Sequence, residues 1–300
     1  MNRVYVLPPK EDWIVDRFVK EWTEDNADIT VPTPVQADIV WLLADWCWLG
    51  LARAGLLTNK KVITSVHHIV PEKFDPVAQH DFQLRDRVTT VYHVYNQRVH
   101  DFIRPLTSKP IHLIPYWANQ KIWQRTGDKL ELRRQYGVPE DAFVMGSFQR
   151  DTEGHDLKTP KFEKGPDLLA DYIEAYQAAH GTPHVLLAGW RRQYLISRLE
   201  KAQVPFTYLE RPPHTVVNDL YQCLDLYPVT ARTEGGPQSL IECGLLQVPV
   251  VSRPVGIAEQ VLPPEAIKDN VFDAVPTVPN VDSMLLPRGY EPYRALIESL

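Results

Sequence analysis

Two apolar β-type runs, Leu224–Val229 and Val248–Ser252, flank a segment with the marks of a helix. Gly235-Gly236 opens that segment and Pro237 stands at its first helical position, where a missing N–H costs nothing. Leu240, Ile241 and Leu245 then recur at helical spacing, and Gln247-Val248-Pro249 closes the element. The stretch reads as a β–turn–α–β unit whose glycine turn lies at a helix N-terminus, where free backbone N–H groups favour phosphate. Glu234 and Glu242 bracket the turn, one just before the helix and one on its second turn. The pattern suggests a bound nucleotide, its phosphates facing the helix and its hydroxyls gripped by the glutamates.

A unit of this kind needs neighbours to complete a sheet, and the chain supplies them twice. Strands are expected at Arg3–Leu7, Asp38–Leu43, Lys61–Val66, Val88–Val94 and Ile111–Ile114, with helices over Glu11–Trp22, Trp46–Leu57 and Asn96–Ile103. The first helix leans on Trp13, Ile14, Phe18 and Trp22 at helical spacing. Pro71–Gln83 reads as a long polar loop, a candidate lid. After a bridge with one helix near Leu130–Tyr136, a second alternating series runs from Phe143 to Ser252, broken by a charged, irregular insertion at Asp151–Glu163. Alternation of this kind predicts an α/β protein with parallel sheets. At 300 residues two domains are expected. The boundaries read as 1–117, 118–290, and a closing helix 291–300 that packs back on the first domain.

An apolar fraction of 44% with 23% charged residues describes a soluble globular chain with a sizeable core. The net charge of −6 argues against a nucleic-acid partner and leaves room for a local basic pocket. Cys47, Cys223 and Cys243 have no metal spacing and read as buried, reduced thiols. His80, His93, His100 and His112 lack ligand spacing too, so no metal site is expected. Met1–Asn26 carries charges throughout and no apolar h-region, and the most apolar run, Ile39–Ala52, is interrupted by Asp45. A cytoplasmic location is expected, with peripheral contact at the inner face of a membrane compatible with it.

Two nucleotide-type halves invite a dehydrogenase reading, yet no G-x-G-x-x-G follows the first strand of either, and no P-loop occurs. Val229–Gln260 instead resembles the donor site of the GT-B glycosyltransferases, in particular the large retaining group called family 4. The match lies in Glu234-Gly235-Gly236-Pro237 and Glu242, the E-x7-E signature, followed by Gly244, Pro249-Val250-Val251 and Val255-Gly256. Upstream, Gly146–Arg150, Lys164–Leu169 and Leu186–Gly189 fall where that family has its arginine, its lysine-glycine and its next strand. The resemblance covers Trp117–Leu262 well and the first half loosely. It implies two Rossmann-like parallel-sheet domains facing across a cleft.

The resemblance also implies roles. A departing nucleoside diphosphate needs positive charge at its β-phosphate, which Arg150 and Lys164 would supply without a metal, with Lys161 a rival for Lys164. Backbone N–H groups at Gln238, Ser239 and Leu240 would add hydrogen bonds, and the turn Gly235, Gly236, Pro237, Gln238 would lie against the sugar. Glu242 would hold the ribose hydroxyls and Glu234 the hydroxyls of the transferred sugar. Tyr208 and Arg211, with Gly189-Trp190 beside them, would meet the base. His67, ending the third strand, would face the donor sugar; His68 adjoins it, and the alignment of Ser65-Val66-His67 favours the former. The expected activity is retaining transfer of a sugar from a UDP- or GDP-sugar to a hydroxyl of a growing glycan or glycolipid, with no cofactor beyond that co-substrate. The alternatives are a nucleotide-sugar epimerase on the same fold, or a non-catalytic subunit with a retained donor pocket. The first-strand loop, Pro8-Pro9-Lys10-Glu11, lacks the glycines family members commonly carry there.

Overall fold

The computed structural model describes residues 2–11 and 14–300; Trp13, on which the first expected helix leaned, lies outside them. The chain divides into two compact units, Met1–Tyr116 with Pro287–Leu300, and Trp117–Leu286.

The first unit contains β1 (Val4–Val6), α1 (Ile14–Asp25), β2 (Ile39–Leu42), α2 (Trp48–Arg53), β3 (Lys61–Val66), α3 (Pro76–Asp86), β4 (Val91–Val94), α4 (Gln97–Ile103) and β5 (Ile111–Leu113). The strands form one parallel sheet in the order β1-β2-β3-β4-β5. Side chains alternate between the two faces of a strand, and both faces here are covered, so the central strands are buried along nearly their whole length. One face carries Val40, Leu42 and Val62 against Trp48, and Val66, Tyr92 and Val94 against Phe82. The other carries Trp41, Ser65 and His93. There Trp41 meets Trp22 of α1 edge-on at 5.0 Å and Tyr293 of the C-terminal helix Glu291–Ser299 at 5.3 Å.

The expected loop at Pro71–Gln83 is largely helix: a 3-10 turn over Pro71–Lys73, then α3 from Pro76. Its apolar face is too thin to produce a helical period, since only Phe82 and Arg85 are buried. The start is nevertheless encoded. Asp75 accepts the N–H groups of Val77 and Ala78, and Pro76 takes the first helical position.

The second unit contains α5 (Lys129–Tyr136), β6 (Val144–Ser147), a small antiparallel hairpin β7 (Thr152–Glu153) and β8 (Thr159–Pro160), α6 (Pro166–His180), β9 (His184–Gly189), α7 (Gln193–Lys201), β10 (Phe206–Glu210), α8 (His214–Gln222), β11 (Tyr227–Val229), α9 (Gln238–Leu246), β12 (Val250–Ser252) and α10 (Ala258–Val261). Parallel strands run β10-β9-β6 and β11-β12. A Met145–Leu226 bridge and a hydrogen bond from Gly146 N to Leu226 O at 2.9 Å carry the first set into the second. A Cβ on Gly146 would lie 2.3 Å from a Leu224 methyl and 3.0 Å from the Tyr227 ring, so any larger residue there would force the buried Leu224 side chain to move. Met145, Leu169, Ile173, Val185, Leu187, Leu195, Leu226 and Val251 form the core. The hairpin occupies the insertion that reads as irregular in the sequence.

Candidate active site

Four loops at the carboxyl ends of the second unit's strands pack on one another, which is where open parallel sheets bind ligands. The loop after β6 reaches the loop after β11 at Gly165, whose left-handed φ of 61° and lack of a Cβ let it sit against Thr230; an added Cβ would be 2.1 Å from the Thr230 carbonyl. Thr230 Oγ1 donates to Gly165 O at 3.0 Å, and the N–H groups of Arg232 and Thr233 donate to Glu163 O at 2.8 and 3.1 Å. These bonds bring Lys164 to Glu234, and Lys164 Nζ donates to Glu234 Oε1. The rival cation, Lys161, bonds Glu163 at 2.6 Å instead. Beside the pair, Arg232 holds Asp167 through two bonds of 2.7 and 2.6 Å, which keeps that carboxyl below its ordinary pKa.

The turn Gly235–Pro237 leads into α9, with Gln238 and Ser239 half-buried and Leu240 buried. The loop after β12 supports the turn from behind. Gly256 has a φ of 55°, and a Cβ there would be 2.7 Å from Pro237 and 3.0 Å from Gly236. One turn into α9, Glu242 is 8% exposed, and its Oε2 accepts the Tyr221 hydroxyl at 2.6 Å. Burial first, and the carboxylate second, push the Tyr221 pKa well up, so the phenol stays a donor.

A second group of expected residues gathers at the ends of β6, β9 and β10. Gln149 Nε2 donates to Lys164 O at 3.1 Å, joining the two groups. Arg150 Nε donates to Thr152 O at 2.9 Å, and its guanidinium lies 5.2 Å from the Trp190 ring centre. Tyr208 donates to Gly189 O at 3.0 Å, and the Arg211 guanidinium lies 4.7 Å from Trp190.

Arg192 underpins this group and has no distinguishing mark in the sequence. It is fully buried, donates to Asp151 at 2.7 Å and to the Ala188 carbonyl at 2.6 Å, and also bonds the carbonyl and hydroxyl of Ser147. Asp151 N and Thr152 N in turn donate to Arg191 O at 3.2 and 3.1 Å. The ends of β6 and β9 and the neck of the hairpin, next to Arg150, are thereby tied together.

His67 belongs to the first unit. Its Nε2 donates to Leu43 O at 2.8 Å, which leaves Nδ1 to accept the Tyr116 hydroxyl at 3.0 Å. Burial lowers its pKa to about 4, so the ring is neutral. A sugar hydroxyl meeting His67 would have to replace one of these partners. His68 is exposed and lines a cavity of about 260 Å3 with Asp45, Lys73, Phe74 and Arg85. Among the described residues no group of three or more His, Cys, Asp or Glu side chains is placed to hold a metal, and no helix is long and apolar enough to cross a membrane.

No protein-family model and no curated protein matches the sequence. Solved structures do. Anabaena HepE, in a complex with UDP and glucose, superimposes with a TM-score of 0.69 at 14% identity, covering 88% of this chain and 84% of HepE. Sucrose-phosphate synthase from Thermosynechococcus elongatus gives 0.62 at 15% identity, over 89% of this chain and 69% of that one. A UDP-forming α,α-trehalose-phosphate synthase from Burkholderia xenovorans gives 0.58 at 13% identity, over 86% and 68%. With its paired Rossmann-like parallel sheets, the chain has the GT-B fold of these glycosyltransferases.

Proposed function

We propose that the protein is a retaining glycosyltransferase of the family 4 type, moving a sugar from a UDP- or GDP-sugar to a hydroxyl of a growing glycan or glycolipid. The observation that carries the reading is the Lys164–Glu234 pair set against the Gly235–Pro237 turn, with Glu242 buried one helical turn further on. In this reading Lys164 and Arg150 neutralise the charge that grows on the β-phosphate, and the positive end of the α9 dipole assists, although Leu240 N, expected to face the phosphate, is held by Pro237 O at 3.0 Å. Glu234 takes hydroxyls of the transferred sugar and Glu242 those of the ribose, while Tyr208 and Arg211 lie against the base. The bond from the anomeric carbon to the phosphate oxygen breaks as the acceptor oxygen adds on the same face. The acceptor's proton passes to the leaving phosphate, so no protein nucleophile is required and the paired-carboxylate scheme of glycosidases does not apply.

HepE was solved with UDP-glucose, which favours a uridine donor among the candidates. The cations already present supply the charge a metal would otherwise bring. Cys47, Cys223 and Cys243 are free thiols, which fits a cytoplasmic enzyme meeting its acceptor at the inner face of a membrane.

A panel of nucleotide sugars scored by thermal stabilisation tests the donor site, and slow hydrolysis of the best donor without acceptor tests catalysis. If neither UDP nor GDP compounds raise the melting temperature, the donor reading fails. Stabilisation without hydrolysis would favour the second reading, a non-catalytic subunit that kept its donor pocket. That reading draws on the engaged nitrogens of His67 and the glycine-free loop at Pro8–Glu11.

A further inference from the structure

Six charged side chains crowd two short stretches beside the Gly235–Pro237 turn. Lys161, Glu163, Lys164 and Asp167 lead into α6, and Arg232 and Glu234 follow β11. Three cations and three carboxylates in so small a space can pair in several ways, and charge attraction alone does not choose among them. One arrangement is present. Lys161 Nζ donates to Glu163 at 2.6 Å, Lys164 Nζ to Glu234, and Arg232 to Asp167.

The third pair differs from the other two in what fixes it. An ammonium is a point charge on a flexible stem and follows whichever carboxylate is nearest, whereas a guanidinium fork takes both oxygens of one carboxylate in parallel. Arg232 Nη1 donates to Asp167 Oδ1 at 2.7 Å and Nη2 to Oδ2 at 2.6 Å. Three more contacts keep the fork in place. Nη1 also donates to Phe162 O at 3.1 Å, the Arg232 backbone N–H donates to Glu163 O at 2.8 Å, and the guanidinium carbon lies 4.2 Å from the Phe162 ring centre. Asp167 is anchored in turn, since it stands in the first turn of α6, where the positive end of the helix favours a carboxylate. Arg232 therefore grips the chain on both sides of Lys164, at Phe162 and at Asp167, and stands two residues before Glu234.

This pairing decides what Lys164 meets. Asp167 comes three residues after Lys164, and a carboxylate freed there would compete with Glu234 for the ammonium. Arg232, freed from Asp167, would compete with Lys164 for Glu234. We infer that Arg232 and Asp167 are positioning residues, a matched pair that keeps a rival carboxylate from Lys164 and a rival cation from Glu234. Lys164 is thereby held beside the glycine turn rather than drawn back to the start of α6. The consequence for transfer rests on the donor reading, but the sorting of the charges belongs to the fold and is tested by itself.

A crystal structure of the full chain carrying Arg232→Met tests the sorting without any substrate. Lys164 Nζ is expected to leave Glu234 for Asp167, and an unchanged Lys164–Glu234 pair would overturn the inference. Steady-state hydrolysis of the best donor tests the consequence. Arg232→Met should lower kcat by about tenfold or more, through misplacement of one charged group. Arg232→Lys, which keeps a cation on Asp167, should stay within about threefold of the parent. Adding Asp167→Asn to Arg232→Met removes the rival carboxylate and should also bring kcat back to within about threefold, with a melting temperature no higher than that of Arg232→Met. A merely structural clamp gives no recovery of activity without recovery of stability, so a double variant as slow as Arg232→Met sinks the proposal. If Arg232→Met does not fold, Asp167→Ala carries the test, because the freed guanidinium should then lie on Glu234. If the parent protein hydrolyses no donor, the donor reading has failed, and the place of Lys164 in Arg232→Met still decides this inference.

Discussion

The two units place their polar groups at the ends of parallel strands in opposite conditions. In the first unit those groups are spent on one another. Trp41 Nε1 donates to Ser65 Oγ at 2.8 Å, Ser65 donates to His93 Nδ1 at 2.8 Å, and His93 Nε2 donates to Ile114 O at 3.0 Å. His67 likewise has both nitrogens engaged, and Asp45 faces Arg85 at 3.1 Å, with burial holding its pKa up. In the second unit Lys164 and Glu234 meet at a half-open turn, and Arg150, Arg191 and Arg211 gather on Trp190 with no carboxylate partner among the described residues. A satisfied network fixes a fold, whereas groups left short of partners are available to a ligand. Changes in the second unit should therefore alter binding and chemistry at little cost in stability, and changes in the first should do the reverse.

The largest effect expected on that basis is at Glu234. Glu234→Ala should lower donor hydrolysis by about a hundredfold or more, the scale of losing one well-placed polar group in a transition state, with the melting temperature nearly unchanged. Steady-state assays beside a thermal melt check both halves. A large fall in melting temperature with activity intact would reverse the assignment of roles.

Next is the response of the first unit to acid. Burial lowers His67 to about 4 and His93 to about 3, below the ordinary value of 6.5. Both rings are neutral in the folded chain and take up protons more readily when unfolded. Stability is thus fully present above pH 6.5 and falls as the pH drops towards 4, by up to about 2 kcal/mol per histidine at pH 5. Denaturant melts between pH 7 and 4.5 measure this, and His93→Asn should flatten the curve. A first unit whose stability did not vary over that range would remove the contrast between the units.

Ser65→Ala comes third. It strands the Trp41 N–H and the His93 Nδ1 lone pair in a fully buried place, at about 1–3 kcal/mol, and should leave donor binding alone. A weakened donor affinity in this variant would show that the network serves the site.

How far these differences could be read beforehand depends on sequence distance. The turn at Glu234–Pro237 and the position of Glu242 are local, so their spacing shows in the chain, as does the alternation of strands and helices that yields two parallel sheets. Helix α5 announces itself through Asp128 at its start and a left-handed Gly137 at its end. Helix α3 does not, because few of its residues are buried and the period is absent; only Asp75-Pro76 marks it. The choice between Lys161 and Lys164 turns on which cation the loop after β11 meets, a contact 70 residues apart. Arg192 and Asp151 are 41 residues apart, and the three arginines on Trp190 come from separate loops, so no local pattern could group them.

The smallest effect is the most discriminating. Glu242 resembles the first unit in being buried and hydrogen-bonded, yet it lies on the helix of the open turn. Tyr221→Phe removes one donor from its carboxylate without changing volume greatly, a loss of about 1 kcal/mol that can appear in either of two places. If Glu242 grips the ribose, the carboxylate loses orientation and the donor KM should rise about threefold to fivefold with kcat steady, since both ground and transition states hold the ribose. If Glu242 is only a core acceptor, the same change should lower stability and leave KM where it was. The outcome decides whether the open condition of the second unit extends one helical turn inward from Glu234 or stops at the glycines.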